Sequence, residues 1–206
     1  MLTRMQITAF LTLSAIFWIG MLVLRGVPIT LDMMMPFSTV VGAVSVCLLV
    51  FDRWLWRLPI FRGWLIKRPY LRGTWRAELK SDWVNPETQS LHPPIRAYMV
   101  VRQTASLLSF RLITEESRSE TVASGVEPCG DGTFEITCTY LNTPRAAFRN
   151  RSEVHYGAML LIADTSSPNR LEGEYWTDRK TTGSLALTDC RMESFMTFDE
   201  CEEAFI

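Results

Sequence analysis

The sequence predicts two membrane-spanning α-helices followed by an all-β domain, an eight-stranded up-and-down antiparallel β-barrel of lipocalin-like form. Three observations carry this reading. Two uncharged apolar runs, residues 5–24 and 33–51, each match the ~20 residues a helix needs to cross a ~30 Å hydrocarbon core. From Leu71 onward the apolar period becomes two, the period of a strand with one buried face. Turn-forming residues then divide this part of the chain into eight short segments.

The first run is too long for the apolar stretch of a signal peptide. A second apolar run follows it rather than a small-residue cleavage site, so both read as retained helices, residues 1–51 together. Their connection, 25–32, contains the breakers Gly26 and Pro28 and is short enough to force an antiparallel hairpin. Pro36 falls in the first turns of the second helix, where its missing N–H costs little. Gly42, Ala43, Ser45 and Cys47 are small positions at which another helix can approach. The absence of charge within either run argues against a monomeric pore or transporter. Arg4 precedes the first helix, and Arg53, Arg57, Arg62, Lys67, Arg68 and Arg72 follow the second, whereas the turn holds Arg25 beside Asp32. The positive side carries both termini and is expected to be cytoplasmic. Trp54, Trp56 and Trp64 lie among these cations, so 52–68 reads either as a segment along the membrane surface or as a plain juxtamembrane linker.

Residues 69–190 form the expected barrel and 191–206 an acidic tail. Residues 69–206 hold 14 Lys and Arg against 20 Asp and Glu, a net charge of about −6 (14 − 20). A binder of nucleic-acid polymers usually shows a basic face, so that class is excluded. Cys47, Cys129, Cys138, Cys190 and Cys201 form no CxxC pair, and with only His92 and His155 available no metal site is expected. Free thiols suit a reducing cytoplasm.

The strands are expected at 71–80, 95–103, 106–114, 118–126, 133–141, 153–163, 170–178 and 183–189. Asn85-Pro86 and Pro93-Pro94 mark the first connection, Pro128 with Gly130, Asp131 and Gly132 a later turn, and 165–169 another. Closing the sheet removes its exposed edges; an open β-sandwich is the alternative. Gly73-Thr74-Trp75 fits a first strand whose indole plugs one barrel end. Phe195, Met196, Phe198 and Phe205 suit a short helix lying on the barrel.

Strand parity separates the faces. Trp75, Ala77 and Leu79 face inward on the first strand, and Phe134, Ile136, Cys138, Tyr140 and Asn142 on the fifth. On the seventh, Leu171, Gly173, Tyr175, Thr177 and Arg179 share the inner parity, which turns polar toward its end. A cation at Arg179 and a hydroxyl at Thr177 at the mouth of an apolar barrel suit a small anionic ligand; otherwise Arg179 is an exposed turn residue. Ser117 and Ser119, with Thr121 after them, either line the same mouth or serve ordinary turn chemistry.

Nothing points to catalysis. There is no Gly-x-Ser-x-Gly and no glycine-rich phosphate loop. His155 reads as a packed strand residue, Glu115 and Glu116 point to opposite faces, and Glu172 and Glu174 share the outer one. The domain is a binder rather than an enzyme, with no catalytic residue, metal or cofactor expected.

The stretch from Leu171 to Gly183 resembles the Gly-x-Tyr-x-Thr-x-Arg…Gly segment of the SMODS-associating two-transmembrane, β-strand-rich effectors of bacterial cyclic-oligonucleotide anti-phage (CBASS) systems. Gly73-Thr74-Trp75, Ser117-Arg118-Ser119, Tyr140-Leu141-Asn142-Thr143-Pro144 and His155-Tyr156-Gly157 extend the resemblance across the barrel. The resemblance implies a barrel that binds a cyclic dinucleotide made by a cognate nucleotidyltransferase. It implies self-association of the transmembrane segments in the lipid bilayer, inner-membrane disruption and abortive infection. On this reading Arg179 pairs with a phosphate, and Thr177, Ser117 and Ser119 donate hydrogen bonds. Tyr175 or Tyr140 stacks on a base, Asn142 reads a base edge, and Trp75 belongs to the same candidate set. Competing classes are a lipocalin-like carrier of an apolar molecule or lipid, a protein-interaction scaffold, and a membrane-anchored hydrolase.

Overall fold

Alternation of large apolar with charged residues, interrupted by glycine and proline turns, makes strands of most of the chain after residue 72. A computed structural model describes residues 4–26, 31–61, 66–84, 89–164 and 168–206. Pro28, Arg62, Trp64, the Asn85-Pro86 turn and Thr165 to Ser167 lie outside the described residues. The chain divides into two units, Met1–Ile60 with Thr104–Ser106, and Phe61–Gln103 with Leu107–Ile206.

In the first unit the two apolar runs form α1 (Arg4–Leu24) and α2 (Leu31–Arg53), followed by a 3₁₀ turn over Leu55–Arg57. Among the described residues no helix is long and apolar enough to cross a membrane, so the two expected spans do not rest on them. Side chains 31–40 of α2 are themselves outside that description. Asp52 near the end of α2 accepts the Ser106 N–H at 2.7 Å and the Thr104 hydroxyl at 3.3 Å. Trp54 is exposed, but the 3₁₀ turn tucks Trp56 away at 2% exposure. Trp56 is therefore not offered to a membrane surface as the sequence suggested.

The second unit contains β1 (Gly73–Ser81), β2 (Ile95–Gln103), β3 (Leu108–Thr114), β4 (Ser117–Pro128), β5 (Phe134–Pro144), β6 (His155–Ala163), β7 (Leu171–Thr177) and β8 (Thr182–Arg191). Each strand pairs antiparallel with the next and β8 returns to β1, closing the barrel and ruling out the open sandwich. The inner parity is the expected one. Trp75, Met99, Phe110, Ile136, Leu161 and Leu187 meet in one buried core, as a barrel this narrow requires side chains to fill it.

Two joints are irregular. β4 bulges between Thr121 and Ala123, leaving Val122 exposed. β3 and β4 share main-chain pairing only from Arg111↔Glu120 to Ile113↔Arg118. Beyond it the Thr121 hydroxyl accepts from the Phe110 N–H at 2.7 Å and donates to the Phe110 carbonyl at 2.9 Å, and the Ser124 hydroxyl donates to the Leu108 carbonyl. Thr121 is thus spent on the wall and is not part of the mouth.

The tail folds as the sequence suggested, into a short helix, α3 (Phe198–Ala204). Thr197 caps it by accepting the Glu200 N–H, and the Glu200 carboxylate accepts the Met196 N–H, one residue before the cap, at 2.9 Å, a variant of the capping box. Phe198, Cys201 and Phe205 bury the outward Tyr98, Val100 and Ile113 of β2 and β3. Burial, followed by the Glu200 carboxylate, pushes the Cys201 thiol from an ordinary 9.0 up to about 11. Between those values the unfolded chain holds fewer protons than the folded one, so stability is full below pH 9 and falls as pH rises through the window. Denaturant midpoints should decline across it, and Cys201→Ala should flatten part of that decline; an unchanged slope would remove Cys201 as its source.

Candidate ligand site at the barrel mouth

In an up-and-down barrel the odd strands all finish at one end. Asn142 near the end of β5, Thr177 closing β7, and Ser119 and His155 near the starts of β4 and β6 therefore gather at that end. Trp75 near the start of β1 lies at the other. There its indole N–H donates to the Leu71 carbonyl at 2.8 Å, and Gln103 clasps the lead-in, accepting from Leu71 N and donating to the Pro69 carbonyl, both at 2.8 Å. The structure thus separates Trp75 from the other candidates and makes it the plug of a closed end.

The open end is ringed with polar groups. Ser119 pairs in register with Asn142, and Asn142 with His155. All three are at most 8% exposed, which is costly for polar groups lacking partners. The Ser119 hydroxyl donates to Asn142 Oδ1 at 2.9 Å. Among the described residues the Asn142 Nδ2 amide has no such bond and remains a donor. His155 Nδ1 lies 2.9 Å from the Glu153 carbonyl; donation there leaves Nε2 as an acceptor. Sequence reasoning set His155 aside as packed, and only the β5–β6 register reveals it beside Asn142.

Below this row stand two tyrosines, each laid over a glycine of the next strand. Tyr140 covers Gly157, where an added Cβ would lie 2.3 Å from Cζ, and Tyr175 covers Gly183 at 2.8 Å from its hydroxyl. Burial pushes both phenols up from their ordinary value, so both stay protonated donors. Beneath them a cavity of about 20 Å³ is lined by Leu79, Met99, Ser119, Cys138 and the two rings. That is room for about one water molecule, which disfavours a carrier of lipid or another apolar molecule inside the barrel. Gly157→Ala should push the Tyr140 ring off its seat and weaken ligand binding severalfold while the barrel stays folded. Near-ultraviolet dichroism with calorimetry checks this, and unchanged binding would detach Tyr140 from the site.

The rim is made by the β1–β2, β3–β4, β5–β6 and β7–β8 connections. Of its acids, Glu116 pairs with Arg151 and Asp178 accepts the Tyr156 N–H at 3.0 Å, while Glu115 and Glu153 are exposed without an ion pair among the described residues. Arg179 is exposed and makes one hydrogen bond, Nη1 to the Ser152 hydroxyl at 3.2 Å. Arg145, Arg149 and Lys180 are exposed on the same connections. None of these four cations forms an ion pair among the described residues. Thr177 lies 2.6 Å from Thr181 within the β7–β8 turn, and Ser117 lies 3.1 Å from Thr114. Both hydroxyls serve their turns while flanking the mouth.

The domain is thus a filled barrel closed at one end by Trp75, with a polar mouth carrying exposed cations at the other. The chain matches the family described as Cap15, cyclic dinucleotide receptor domain, over residues 66–189, and it belongs to that family. It is similar to CD-NTase-associated protein 15 of Staphylococcus schleiferi, 24% identical over 137 residues that cover 66% of this chain and 69% of the relative. The family is a receptor domain of CBASS effectors rather than a catalytic one, in agreement with the resemblance read from the β7–β8 segment.

Proposed function

We propose that the mouth binds a cyclic dinucleotide made by a cognate nucleotidyltransferase, and that binding drives assembly of the chain in the bacterial inner membrane, which is then breached in an abortive response to phage. The observation that carries this is the buried row Ser119–Asn142–His155 beside cations that have no ion-pair partner among the described residues. A cyclic dinucleotide presents two phosphates and two bases, matching Arg179 for a phosphate, Tyr140 and Tyr175 for base faces, and the Asn142 amide for a base edge. Thr177, Ser117 and Ser119 supply hydroxyls around it. The uncharged runs 5–24 and 33–51 support α1 and α2 as the membrane part, with both termini and the barrel cytoplasmic. Ligand can shift assembly only by binding the assembled form more tightly.

The test is calorimetric titration of the full chain in detergent with cyclic di-AMP, cyclic di-GMP and the cyclic GMP–AMP isomers. Saturable heat with at least one is expected; none with any member would sink the reading. In cells, depolarisation on nucleotide synthesis should require residues 5–51.

A further inference from the structure

A cyclic dinucleotide brings two phosphates, and Arg179 answers one of them. A second cation stands on the β5–β6 connection, between Pro144 and His155. Main-chain bonds fix the course of that connection. Arg145 N donates to the Glu116 carbonyl at 2.8 Å, Phe148 N to the Arg145 carbonyl at 2.9 Å, and Ser152 N to the Phe148 carbonyl at 3.0 Å. Arg151 is committed to Glu116 and lies over the Phe148 ring, 4.8 Å from its centroid. Arg149, by contrast, is exposed and forms no ion pair among the described residues, yet its Nε donates to the Pro144 carbonyl at 3.4 Å. That bond turns the side chain back toward the barrel and keeps both Nη groups as donors.

The register locates this guanidinium. Pro144 pairs with Ser117, two residues along both strands from the Ser119↔Asn142 pair. On the other side Gly157 pairs with Thr177, and the Asp178 N–H donates to the Tyr156 carbonyl at 3.0 Å, which brings the next residue, Arg179, level with His155. Arg179 in turn donates to the Ser152 hydroxyl, on the β5–β6 connection itself, at 3.2 Å. Two guanidiniums thus flank the buried row, one at its β4–β5 end and one at its β6–β7 end, each held by one neutral acceptor. On the β3–β4, β5–β6 and β7–β8 connections Glu116 is taken by Arg151 and Asp178 by a main-chain N–H. Glu115 and Glu153 then remain against Arg145, Arg149, Arg179 and Lys180. Like charges gathered on a small rim repel, and a doubly anionic guest relieves that repulsion. We propose that Arg149 is a second phosphate anchor, so that Arg149 and Arg179 hold the two phosphates of one ligand from opposite ends of the Ser119–Asn142–His155 row. This rests on the reading of the mouth as a cyclic dinucleotide site. Both anchors stand on connections bonded to each other, so their spacing is set before the ligand arrives and selects by the distance between phosphates.

The test is calorimetry on the full chain in detergent with the cyclic dinucleotide panel and, in parallel, with adenosine 3′,5′-bisphosphate, which carries two phosphates without the ring. Arg149→Met keeps an apolar stem and drops the charge. It should weaken cyclic dinucleotide binding at least roughly tenfold and make the affinity less sensitive to salt, as loss of an exposed charge contact requires. Arg149→Lys should recover part of the loss, since the ammonium keeps the charge without the fork. The losses of Arg149→Met and Arg179→Ala should multiply in the double variant, because each meets a different phosphate. Arg170→Met removes an exposed cation from the β6–β7 connection, at the closed end, and should change affinity by no more than about twofold. Unchanged affinity in Arg149→Met, an equal loss in Arg170→Met, or a double variant no weaker than Arg179→Ala alone would each overturn the second anchor. No heat from any cyclic dinucleotide with the parent protein would refute the ligand instead. The bisphosphate then decides the two-cation grip, which stands if Arg149→Met and Arg179→Ala both weaken its binding and falls if it gives no heat or if either variant leaves it unchanged.

Discussion

Replacing Trp75 with alanine should lower stability by about 3–5 kcal/mol, the usual cost of emptying a buried tryptophan site. The side chain is 1% exposed, and its N–H is satisfied by the Leu71 carbonyl. Alanine therefore leaves both a cavity and a carbonyl without its donor. Gln103 holds the same lead-in through Leu71 and Pro69, so the loss should spread to the whole closed end. Denaturant unfolding of the full chain in detergent measures it. Because the mouth is at the far end, nucleotide affinity of the folded protein should stay within about twofold, a few tenths of a kcal/mol, as separated sites behave independently. A collapse of affinity at unchanged stability would return Trp75 to the ligand site and refute its role as a plug.

Arg179→Ala should have the largest effect on binding. The guanidinium is exposed in the β7–β8 turn and spends one donor on the Ser152 hydroxyl. Its other donors are open to a bidentate phosphate contact. Hydrogen bonds involving a charged group are worth about 1.5–3 kcal/mol, so affinity should drop roughly 10- to 100-fold. Stability should barely change, because an exposed side chain with one neutral partner holds little of the fold together. Arg179→Lys should recover only part of the loss, since an ammonium lacks the fork. An unchanged dissociation constant would exclude Arg179 from the site.

The barrel was legible in the sequence because an apolar period of two survives any later packing, and because glycine and proline turns fall between the runs. The differences lie where tertiary pairing decides. β3 begins at Leu108 rather than 106, because Thr104 and Ser106 bond Asp52 instead of a neighbouring strand. β8 extends to Arg191 past an irregularity opposite Trp75 and Arg76, with Asp189 at φ 47°. Parity alone cannot anticipate a bulge. The same limit governs the site. Parity placed Trp75, Tyr140 and Tyr175 on one inner face, but which end each occupies depends on strand direction around a closed ring. His155 was passed over because its neighbour Asn142 is a partner in register, not in sequence.

The joint between β3 and β4 has a mechanical consequence. Backbone ladders fasten every other boundary more extensively, with eleven pairs between β4 and β5 against three here. Side-chain hydroxyls of Thr121 and Ser124 do the remaining fastening. Such a boundary parts at lower cost than a full ladder, so the cylinder has a zip running down one side. The surviving ladder, Leu112↔Ser119 and its neighbours, lies at the mouth, and the hydroxyl-fastened stretch runs from Phe110 to Leu108 toward the closed end. Loosening that zip therefore parts the wall from the base upward, while the lip around Ser119 stays stitched.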